Sequence, residues 1–470
     1  MVPFQIILVP FAVLLFSVFP LTDTDIWWHL ACAREWVTTW TPVRPSLING
    51  HAYFQTVVGA VYGLGGAPLL VAFKAILWTV VFALFLFPLR KRAVDQRMAA
   101  TLVAVLFCLR YQFEMRPVVF SMLFLGLYWN LVPRILGGAG WRRTVSVLTV
   151  LLLQWLWCRF QGLYILGPVF VAVSVACRGR CTRKDLLWRG AFAFALFAMP
   201  FLHRDGLALF LYPFGLLDRL VGLSESASVF AGNIAENRSP FTLALAGENV
   251  LAVAVAMAAA TLSLFFSRRT FWKRGEVAWL CITALLAMVA ERNIVLFLPV
   301  FCYFVLDGVG TCWNLPPCSE RCRIVSVSVM SLVLGLWCRS LLPYDTSMVS
   351  DQRVPVAAAS WMASHPHEGR LFNDDRSGGY LAFVNPQDST YLDGRFFLKT
   401  SSFFERYLQY AESPSDFMND MDSLGVDRAL FPLRYYARWG ATVQALSASG
   451  KWRSVYVDSA FVVLDRKNLR

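Results

Sequence analysis

Residues 2–21 read VPFQIILVPFAVLLFSVFPL, and residues 22–29 read TDTDIWWH. The first stretch carries no charge, and its 20 residues are enough for an α-helix to cross the hydrocarbon core of a bilayer. The second stretch places the carboxylates of Asp23 and Asp25 and the imidazole of His29 at the predicted membrane–water boundary. Its two tryptophans suit that boundary, because an indole ring is apolar and its N–H bonds water. Ionisable groups near membrane depth are costly to hold, so they indicate a function.

The composition places the chain among polytopic α-helical membrane proteins. Of its 470 residues, 57% are hydrophobic and 38 are Phe, and the mean hydropathy is +0.54. We expect residues 2–21 to stay in the protein, because no Lys or Arg precedes them and no small-residue cleavage site follows. Apolar runs predict a bundle of about eleven transmembrane helices, at residues 2–21, 67–89, 98–113, 118–133, 144–157, 163–177, 186–203, 250–266, 277–290, 293–306 and 324–342.

The distribution of Lys and Arg predicts the orientation of this bundle. In or beside the loops that follow even-numbered spans there are 18 Lys and Arg residues, whereas the opposite loops hold eight Arg and no Lys. By the positive-inside rule the N-terminus is cytoplasmic, and the segment after residue 342 is extracytoplasmic. The net charge of +13 is therefore mostly a signal of topology. Because the cations are spread over five short loops, no nucleic-acid partner is expected.

The chain is predicted to have three parts. Residues 1–342 form the transmembrane bundle, which long outer loops interrupt at 22–66 and 204–249, and residues 343–470 form a soluble α/β domain. In the first loop we expect an amphipathic surface helix after Asp25, and a second helix over 51–64 that ends at Gly65-Gly66. The soluble domain is predicted to hold helices at 354–364, 403–411, 415–424 and 435–447, and strands at 370–373, 390–392, 426–430, 452–457 and 461–464.

The first outer loop with its acidic pair resembles the GT-C superfamily of membrane glycosyltransferases. The chain is also similar to a group of bacterial multi-spanning proteins that share Asp-x-Asp-x-Trp-Trp-His-Leu, here 23–30, Gly-Gly-Tyr-Leu, here 378–381, and Asp-Gly-Arg, here 393–395. Arg116-Pro117 belongs to the same likeness. The resemblance implies a many-spanning fold, a sugar donor on a polyprenyl phosphate, and a catalytic acidic residue in the first outer loop. Oligosaccharyltransferase catalytic subunits are members of the superfamily.

The chain departs from that bacterial group at two places. It has Trp-Cys-Arg-Phe-Gln-Gly at 157–162, where relatives carry a turn with Asn and His. It has His-Ala-Tyr at 51–53, where relatives carry a His-Glu-Trp-like step. If those side chains bind substrate in the relatives, this part of the site is altered here.

Asp25 and Asp23 are the candidate catalytic residues. Glycosyl transfer from a lipid phosphate needs a base for the acceptor proton, and a carboxylate above an apolar surface loses hydration, which raises its pKa toward that of a useful base. Alternatively the pair shares a divalent Mg or Mn ion, with His29 as a third ligand. The structural alternative is that both carboxylates only cap the following helix.

Cationic side chains are the candidates for binding the substrate phosphate. Arginine suits phosphate because its planar fork donates two parallel hydrogen bonds. The alternatives are interfacial snorkelling, a local Glu–Arg pair or, for the lysine within a span, a buried partner. Glu236, in the second long loop, is a further candidate by analogy with an outer-loop acid of oligosaccharyltransferases. In the soluble domain, residues 393–395 form either a ligand site after a strand or an Asp–Arg clamp across a turn. The candidate cations are Arg116, Arg292, Arg34 and Lys74, with His29 beside them.

These observations predict an inverting membrane glycosyltransferase of a bacterial inner membrane. Its donor would be a polyprenyl-phosphate sugar, and its acceptor an exported glycan, lipid or protein of the cell envelope. The alternative is a non-catalytic envelope protein that assembles or transports a lipid or glycan. Paired inverted repeats of broken helices, which are typical of many transporters, are not evident in the sequence.

Overall fold

A computed structural model describes residues 4–37, 39–44, 48–92, 95–178, 182–248, 250–266, 274–312, 319–434 and 437–467. The chain divides into two compact units. The first unit is Met1–Phe19, Ile48–Phe54 and Val71–Pro343, and the second unit is Pro20–Leu47, Gln55–Leu70 and Tyr344–Arg470. Most of the first outer loop thus belongs to the second unit, together with the C-terminal segment. Four cations used in the topology prediction lie outside the described residues, as do two residues of the predicted helix 435–447: Arg180, Arg268, Arg269, Lys273, Tyr435 and Tyr436.

The described residues are mostly helical. In chain order the helices are α1 (Phe4–Phe16), α2 (Asp25–Arg34), α3 (Ala52–Leu86), α4 (Gln96–Cys108), α5 (Val118–Gly137), α6 (Gly140–Trp157), α7 (Leu166–Ala176), α8 (Arg183–Ala198), α9 (Gly206–Val221), α10 (Glu225–Asn233), α11 (Pro240–Leu245), α12 (Val250–Phe266), α13 (Arg274–Val289), α14 (Ile294–Cys312), α15 (Glu320–Leu341), α16 (Val356–Ser364), α17 (Asp375–Val384), α18 (Ser401–Glu412), α19 (Pro414–Ser423) and α20 (Gly440–Ala448). Single 3₁₀ turns extend several of them.

Each of the eleven predicted spans is helical over most of its length. Among the described residues, four helices are long and apolar enough to cross a membrane, and a bent pair, Gly206–Val221 with Glu225–Asn233, would be a fifth. The four are Ala52–Leu89, Val118–Gly137, Arg183–Leu202 and Glu320–Leu341. The chain is therefore a membrane protein, while the number of about eleven spans stays a prediction.

The break predicted at Gly65-Gly66 is confirmed, although the helix resumes directly after it. Both glycines have non-helical backbone angles inside α3, and Gly66 has φ 63° and ψ −157°. Glycine adopts this conformation at little cost because it has no β-carbon. The predicted surface helix and the predicted second span are therefore two segments of α3 on either side of a kink.

The second unit contains a small four-stranded sheet. Its strands are β1 (Arg370–Asn373), β2 (Val426–Pro432), β3 (Trp452–Val457) and β4 (Phe461–Arg466), in the order β1-β2-β4-β3. β1 is parallel to β2, whereas β4 is antiparallel to both of its neighbours. Buried apolar residues run along β2 and β4, as expected for central strands covered by helices.

The strand predicted at 390–392 is wrong, because this segment is irregular. The side chain of Asn373 takes the hydrogen bonds that a neighbouring strand would make: the Tyr391 N–H donates to Asn373 Oδ1 at 2.8 Å, and Asn373 Nδ2 donates to the Leu392 carbonyl at 2.6 Å. The segment is nevertheless buried, which explains why its composition suggested a strand. The segment Gly378–Val384, which no predicted helix or strand covers, belongs to α17.

Candidate functional site

The acidic pair lies at the start of α2. Asp25 is the first helical residue, and Asp23 Oδ1 accepts a hydrogen bond from the Asp25 backbone N–H at 3.3 Å. Asp23 thus contacts the start of the helix, although the N-cap residue is Thr24 and no side chain caps it, and only 5% of the surface of Asp23 is exposed. Asp25 stands in the first turn, where the positive end of the helix dipole stabilises a carboxylate.

Helix α2 is not the amphipathic surface helix that the sequence predicted. Six consecutive residues, from Ile26 to Ala31, are buried, so the helix is covered on more than one side within the second unit. One side meets α3, where a β-carbon placed on Gly59 would lie 2.6 Å from Ala33 Cβ. The ring of Trp27 contacts Tyr380 of α17, with ring centres 4.8 Å apart. A tryptophan-rich sequence is thus used here for packing between helices.

The Asp-Gly-Arg motif lies against Asp25. A β-carbon built on Gly394 would overlap Asp25 Oδ1, and it would lie 3.9 Å from Trp28 Nε1. Residue 394 must therefore lack a side chain for the carboxylate to keep its position. The carboxylate that we consider the candidate base is held between its own helix and this turn.

The Gly-Gly-Tyr-Leu motif packs on the same helix. A β-carbon on Gly379 would lie 3.1 Å from the Trp28 backbone nitrogen and 3.2 Å from the Thr24 carbonyl oxygen. A β-carbon on Gly378 would overlap the Leu392 carbonyl oxygen. Both glycines allow close backbone approach, one toward α2 and the other toward the segment that leads to Gly394. The structure thus brings together three of the four motifs on which the family resemblance rests.

Asp393 and Arg395 form a buried clamp across the turn. Arg395 Nε donates to both Asp393 carboxylate oxygens at 3.0 Å, and its Nη2 donates to the Val37 carbonyl at 2.8 Å. Both side chains are almost completely buried. Of the two alternatives for residues 393–395, this geometry favours the clamp, which also fixes the chain that leaves α2.

Lys399 is a second buried residue that holds the segment after α2. The sequence analysis did not single out Lys399. Its ammonium group donates to Thr39 Oγ1 at 2.7 Å, to Thr41 Oγ1 at 2.6 Å, and to the carbonyls of Thr41 and Pro42 at 3.1 and 3.0 Å. Burial lowers the pKa of Lys399 to about 8, although the nearby Asp393 opposes this shift. Lys399 is one of the 43 Lys and Arg residues of the sequence, and no motif surrounds it.

His29 is buried one helical turn after Asp25, with its ring centre 3.5 Å from that of Trp28. Positions i and i+4 of a helix share a face, so a ligand on that face is accessible to both side chains. In the part of the chain that the structure describes, no group of three or more His, Cys, Asp and Glu side chains is arranged to hold a metal ion. The Mg or Mn alternative thus stays a prediction without a built set of ligands.

Arg34, at the other end of α2, is held by α17. Its Nη1 donates to the Phe383 carbonyl at 3.2 Å, and its guanidinium lies 4.1 Å from the centre of the Phe383 ring. The side chain is nevertheless exposed, so it keeps donors for a further partner.

The first unit contains the other candidate residues. Arg116 and Glu236 form a two-pronged ion pair, with N–O distances of 2.5 and 2.7 Å. Arg292 Nη1 donates to Asn237 Oδ1 at 3.1 Å, so the second outer loop contacts both arginines. The sequence proposed these three charged residues independently, and the structure links them through residues 236 and 237.

Lys74 has a buried partner, which was one of the two explanations for its place in a span. Its ammonium group donates to the Phe19 carbonyl at 3.1 Å and lies 3.4 Å from the centre of the Phe19 ring. This arrangement ties α3 to the chain after α1. It gives Lys74 a structural role, and its predicted role in phosphate binding stays a prediction.

The two segments where the chain departs from its bacterial relatives lie in the first unit. Gln161 Oε1 accepts from Ser121 Oγ at 2.7 Å, and Arg159 pairs with Asp205. His51 Nδ1 lies 3.1 Å from the Phe160 carbonyl, and its Nε2 lies 3.3 Å from the Tyr212 hydroxyl. These altered residues therefore bond to the protein itself.

Comparison with known proteins identifies a similar fold. No protein-family model matches the sequence. No curated protein matches it either. The archaeal oligosaccharyltransferase AglB from Archaeoglobus fulgidus, in complex with an inhibitory peptide and a dolichol-phosphate, superposes with a TM-score of 0.54 at 13% identity, over 91% of this chain and 69% of AglB. The complex of the A. fulgidus oligosaccharyltransferase with Zn and sulfate gives 0.53 at 13% identity, over 92% and 69%.

ArnT from Cupriavidus metallidurans in the apo state aligns over 98% of this chain and 96% of its own at 12% identity, but its TM-score of 0.39 is too low to establish a common fold. The likeness to AglB also extends over nearly the whole chain, and its TM-score of 0.54 is higher. The likeness to AglB therefore shows a similar fold, while the resemblance to the GT-C superfamily stays a prediction. The likeness to one bacterial group stays a prediction. This membrane protein has a fold similar to that of the oligosaccharyltransferase AglB.

Proposed function

We propose that this protein is an inverting membrane glycosyltransferase that moves a sugar from a polyprenyl-phosphate donor to an exported acceptor. The observation that carries the proposal is the position of Asp25, held at the start of α2 against Gly394. The AglB-like fold supports it, since AglB is an oligosaccharyltransferase whose structure contains a dolichol-phosphate and an inhibitory peptide. We place the protein in the bacterial inner membrane, with the N-terminus in the cytoplasm and residues 343–470 outside.

In the proposed reaction, Asp25 is the general base. An acceptor hydroxyl attacks the anomeric carbon of the donor from the face opposite the phosphate, and its proton passes to the Asp25 carboxylate. The bond between the anomeric carbon and the phosphate oxygen breaks, and the electron pair leaves with the lipid phosphate. One displacement inverts the anomeric centre. Asp23 orients the start of α2 through its hydrogen bond to the Asp25 N–H.

The departing phosphate requires positive charge. The sequence predicts that arginines, among them Arg116 and Arg292, bind this phosphate, because guanidinium groups bind phosphate oxygens through parallel hydrogen bonds. Glu236 would then control how readily Arg116 accepts the phosphate, since the two side chains are paired. No step of this reaction uses a metal ion. The alternative for the acidic pair is that Asp23 and Asp25, together with His29, bind Mg or Mn.

The test compares cells that contain and lack the protein. Mass spectrometry of envelope glycans and lipid-linked sugars should reveal one lipid-linked donor that accumulates when the protein is absent. Asp25→Asn, and more strongly the double change with Asp23→Asn, should reproduce this accumulation while the protein inserts normally. We expect a rate loss of about 10²–10⁴-fold, the usual contribution of a general base. The exposed Asp351→Asn in the same unit is the matched control.

Full transfer by the double Asn variant would contradict the assignment of the base. Unchanged glycans and donors in cells that lack the protein, combined with a defect in envelope assembly, would favour the non-catalytic alternative.

A further inference from the structure

A cavity of about 370 Å³ opens in the second unit beside the C-terminal end of α2. It lies within the size range of small-molecule sites. Its walls are the last turn of α2 with the residues after it, and the end of α17 with the segment up to Thr390. We infer that this cavity is a subsite for a saccharide, so that the acceptor of the reaction is a glycan. The statement that the bound sugar is the acceptor rests on the proposed function. The statement that a sugar binds in this cavity does not.

An exposed tryptophan forms one wall of the cavity. Trp36 keeps 38% of its surface exposed, although a ring of this size is usually covered. The Arg395 guanidinium lies 5.2 Å from the centre of the Trp36 ring, and Arg395 is itself held by Asp393. This contact restrains the Trp36 ring before any ligand binds, and such restraint lowers the entropy cost of binding. A flat indole face suits the C–H face of a pyranose ring.

Polar groups line part of the cavity. Thr390 is only 1% exposed, and its hydroxyl has no hydrogen-bond partner among the described residues. A buried hydroxyl without a partner costs free energy, and a ligand hydroxyl in the cavity would supply the missing bond. Asp388 is half-buried beside it, and Arg34 is held in place by Phe383. Acceptors and donors thus surround an aromatic wall, which is the chemistry that recognises a polyhydroxyl ligand.

The charges of the cavity argue against an anion. Among the described lining residues there is one cation, Arg34, and there are two carboxylates, Glu35 and Asp388. A phosphate would meet a net negative wall, whereas an uncharged sugar would find both donors and acceptors. A lipid chain would leave these polar groups without partners. The observations therefore favour a neutral saccharide over the lipid phosphate of the donor.

The test uses the full-length protein in lipid nanodiscs without sugar-based detergent, applied to an array of bacterial envelope oligosaccharides. We expect at least one oligosaccharide to bind, and Trp36→Ala to weaken its binding about tenfold or more. Thr390→Val should weaken binding without lowering the melting temperature, because the hydroxyl bonds none of the residues that the structure describes. Tyr344→Ala is the matched control, since Tyr344 belongs to the same unit and is 40% exposed.

Absence of binding to every oligosaccharide on the array, or equal binding by wild type and Trp36→Ala, would overturn the inference. Asp351→Asn should bind the oligosaccharide as the wild type does, because Asp351 is exposed and does not line the cavity. Binding that depends on Trp36, in a protein whose Asp23/Asp25 double variant still transfers sugar, would support the subsite and contradict the proposed base. The two failures are therefore distinguishable.

Discussion

The carboxylate of Asp25 and the backbone of Gly394 approach each other so closely that a β-carbon at residue 394 would overlap Asp25 Oδ1 where it now lies. Asp25 opens the helix of the first outer loop, and Gly394 lies in the turn that the Asp393–Arg395 clamp closes. The contact explains why an acidic loop and a distant Asp-Gly-Arg motif occur in one protein. The turn acts as a wall that sets where the carboxylate can point.

Gly394→Ala is therefore expected to abolish transfer without preventing insertion into the membrane. The added methyl group would overlap Asp25 Oδ1 and displace the carboxylate, and a shift of about 1 Å can cost about 10²-fold in rate. The measurement is the transfer rate in isolated membranes, normalised to the amount of folded protein. Gly440→Ala is the matched control, because a β-carbon there meets no atom within 4 Å. Normal transfer by Gly394→Ala would show that the position of Asp25 does not matter.

The clamp itself predicts a large effect on stability. Asp393→Asn leaves the buried Arg395 charge without its counter-ion, and breaking a buried pair costs about 3–5 kcal/mol. The melting temperature of the purified protein should fall clearly. Asp416→Asn is the control, since its pair with Arg406 is largely exposed and worth at most about 1 kcal/mol. Replacing both partners of the clamp by Leu and Met should restore part of the loss, which a role limited to side-chain volume would not explain.

The sequence predicts the helices well, because apolar runs must satisfy their backbone hydrogen bonds within one segment. It also marks Gly65-Gly66 as a break, since two adjacent glycines rarely continue a helix. The prediction of a strand at 390–392 is wrong, because the side chain of Asn373 takes the hydrogen bonds of a neighbouring strand. The local sequence pattern does not reveal this distant contact. Burial of α2 is missed in the same way, because it depends on packing against distant residues such as Gly379.

The candidate site is predictable in part. The acidic pair and the glycine motifs stand out in the sequence, but their contact links residues hundreds of positions apart, and periodicity carries no such information. Lys399 and Thr390 were not singled out at all. Each gains its importance only from burial, which the sequence near it does not reveal.

The pair of Arg116 and Glu236 predicts opposite effects on donor binding. Arg116→Gln should raise the KM for the lipid-linked donor about tenfold or more, because a charge-assisted hydrogen bond to phosphate is lost. Glu236→Gln should lower that KM about two- to fivefold, since the partly exposed pair no longer competes with the phosphate. The pair of Arg238 and Glu248 supplies the control, and Glu248→Gln should leave the KM unchanged. Loss of all transfer in Glu236→Gln would instead give Glu236 a role in the chemical step.

Asp374 predicts how the stability of the second unit depends on pH. It lies just before α17 and is fully buried, and its Oδ1 accepts hydrogen bonds from the Ser377 N–H and hydroxyl. Burial, followed by the charge of the neighbouring Asp375, raises the pKa of Asp374 from 3.8 to about 6. Between these two values the folded state binds more protons than the unfolded state. The contribution of Asp374 to the stability of the folded state is therefore complete below pH 4, and it is lost as the pH rises through 6.

Asp374→Asn should remove this dependence, because the amide oxygen keeps the bonds to Ser377 and the side chain cannot ionise. At pH 7.5 the variant should be more stable than the wild type by on the order of 2 kcal/mol, and at pH 4 the two should be similar. The measurement is the melting temperature of both proteins at pH 4, 5, 6 and 7.5, with the exposed Asp351→Asn as the control. Parallel curves for wild type and Asp374→Asn would show that the buried carboxylate does not titrate in this range.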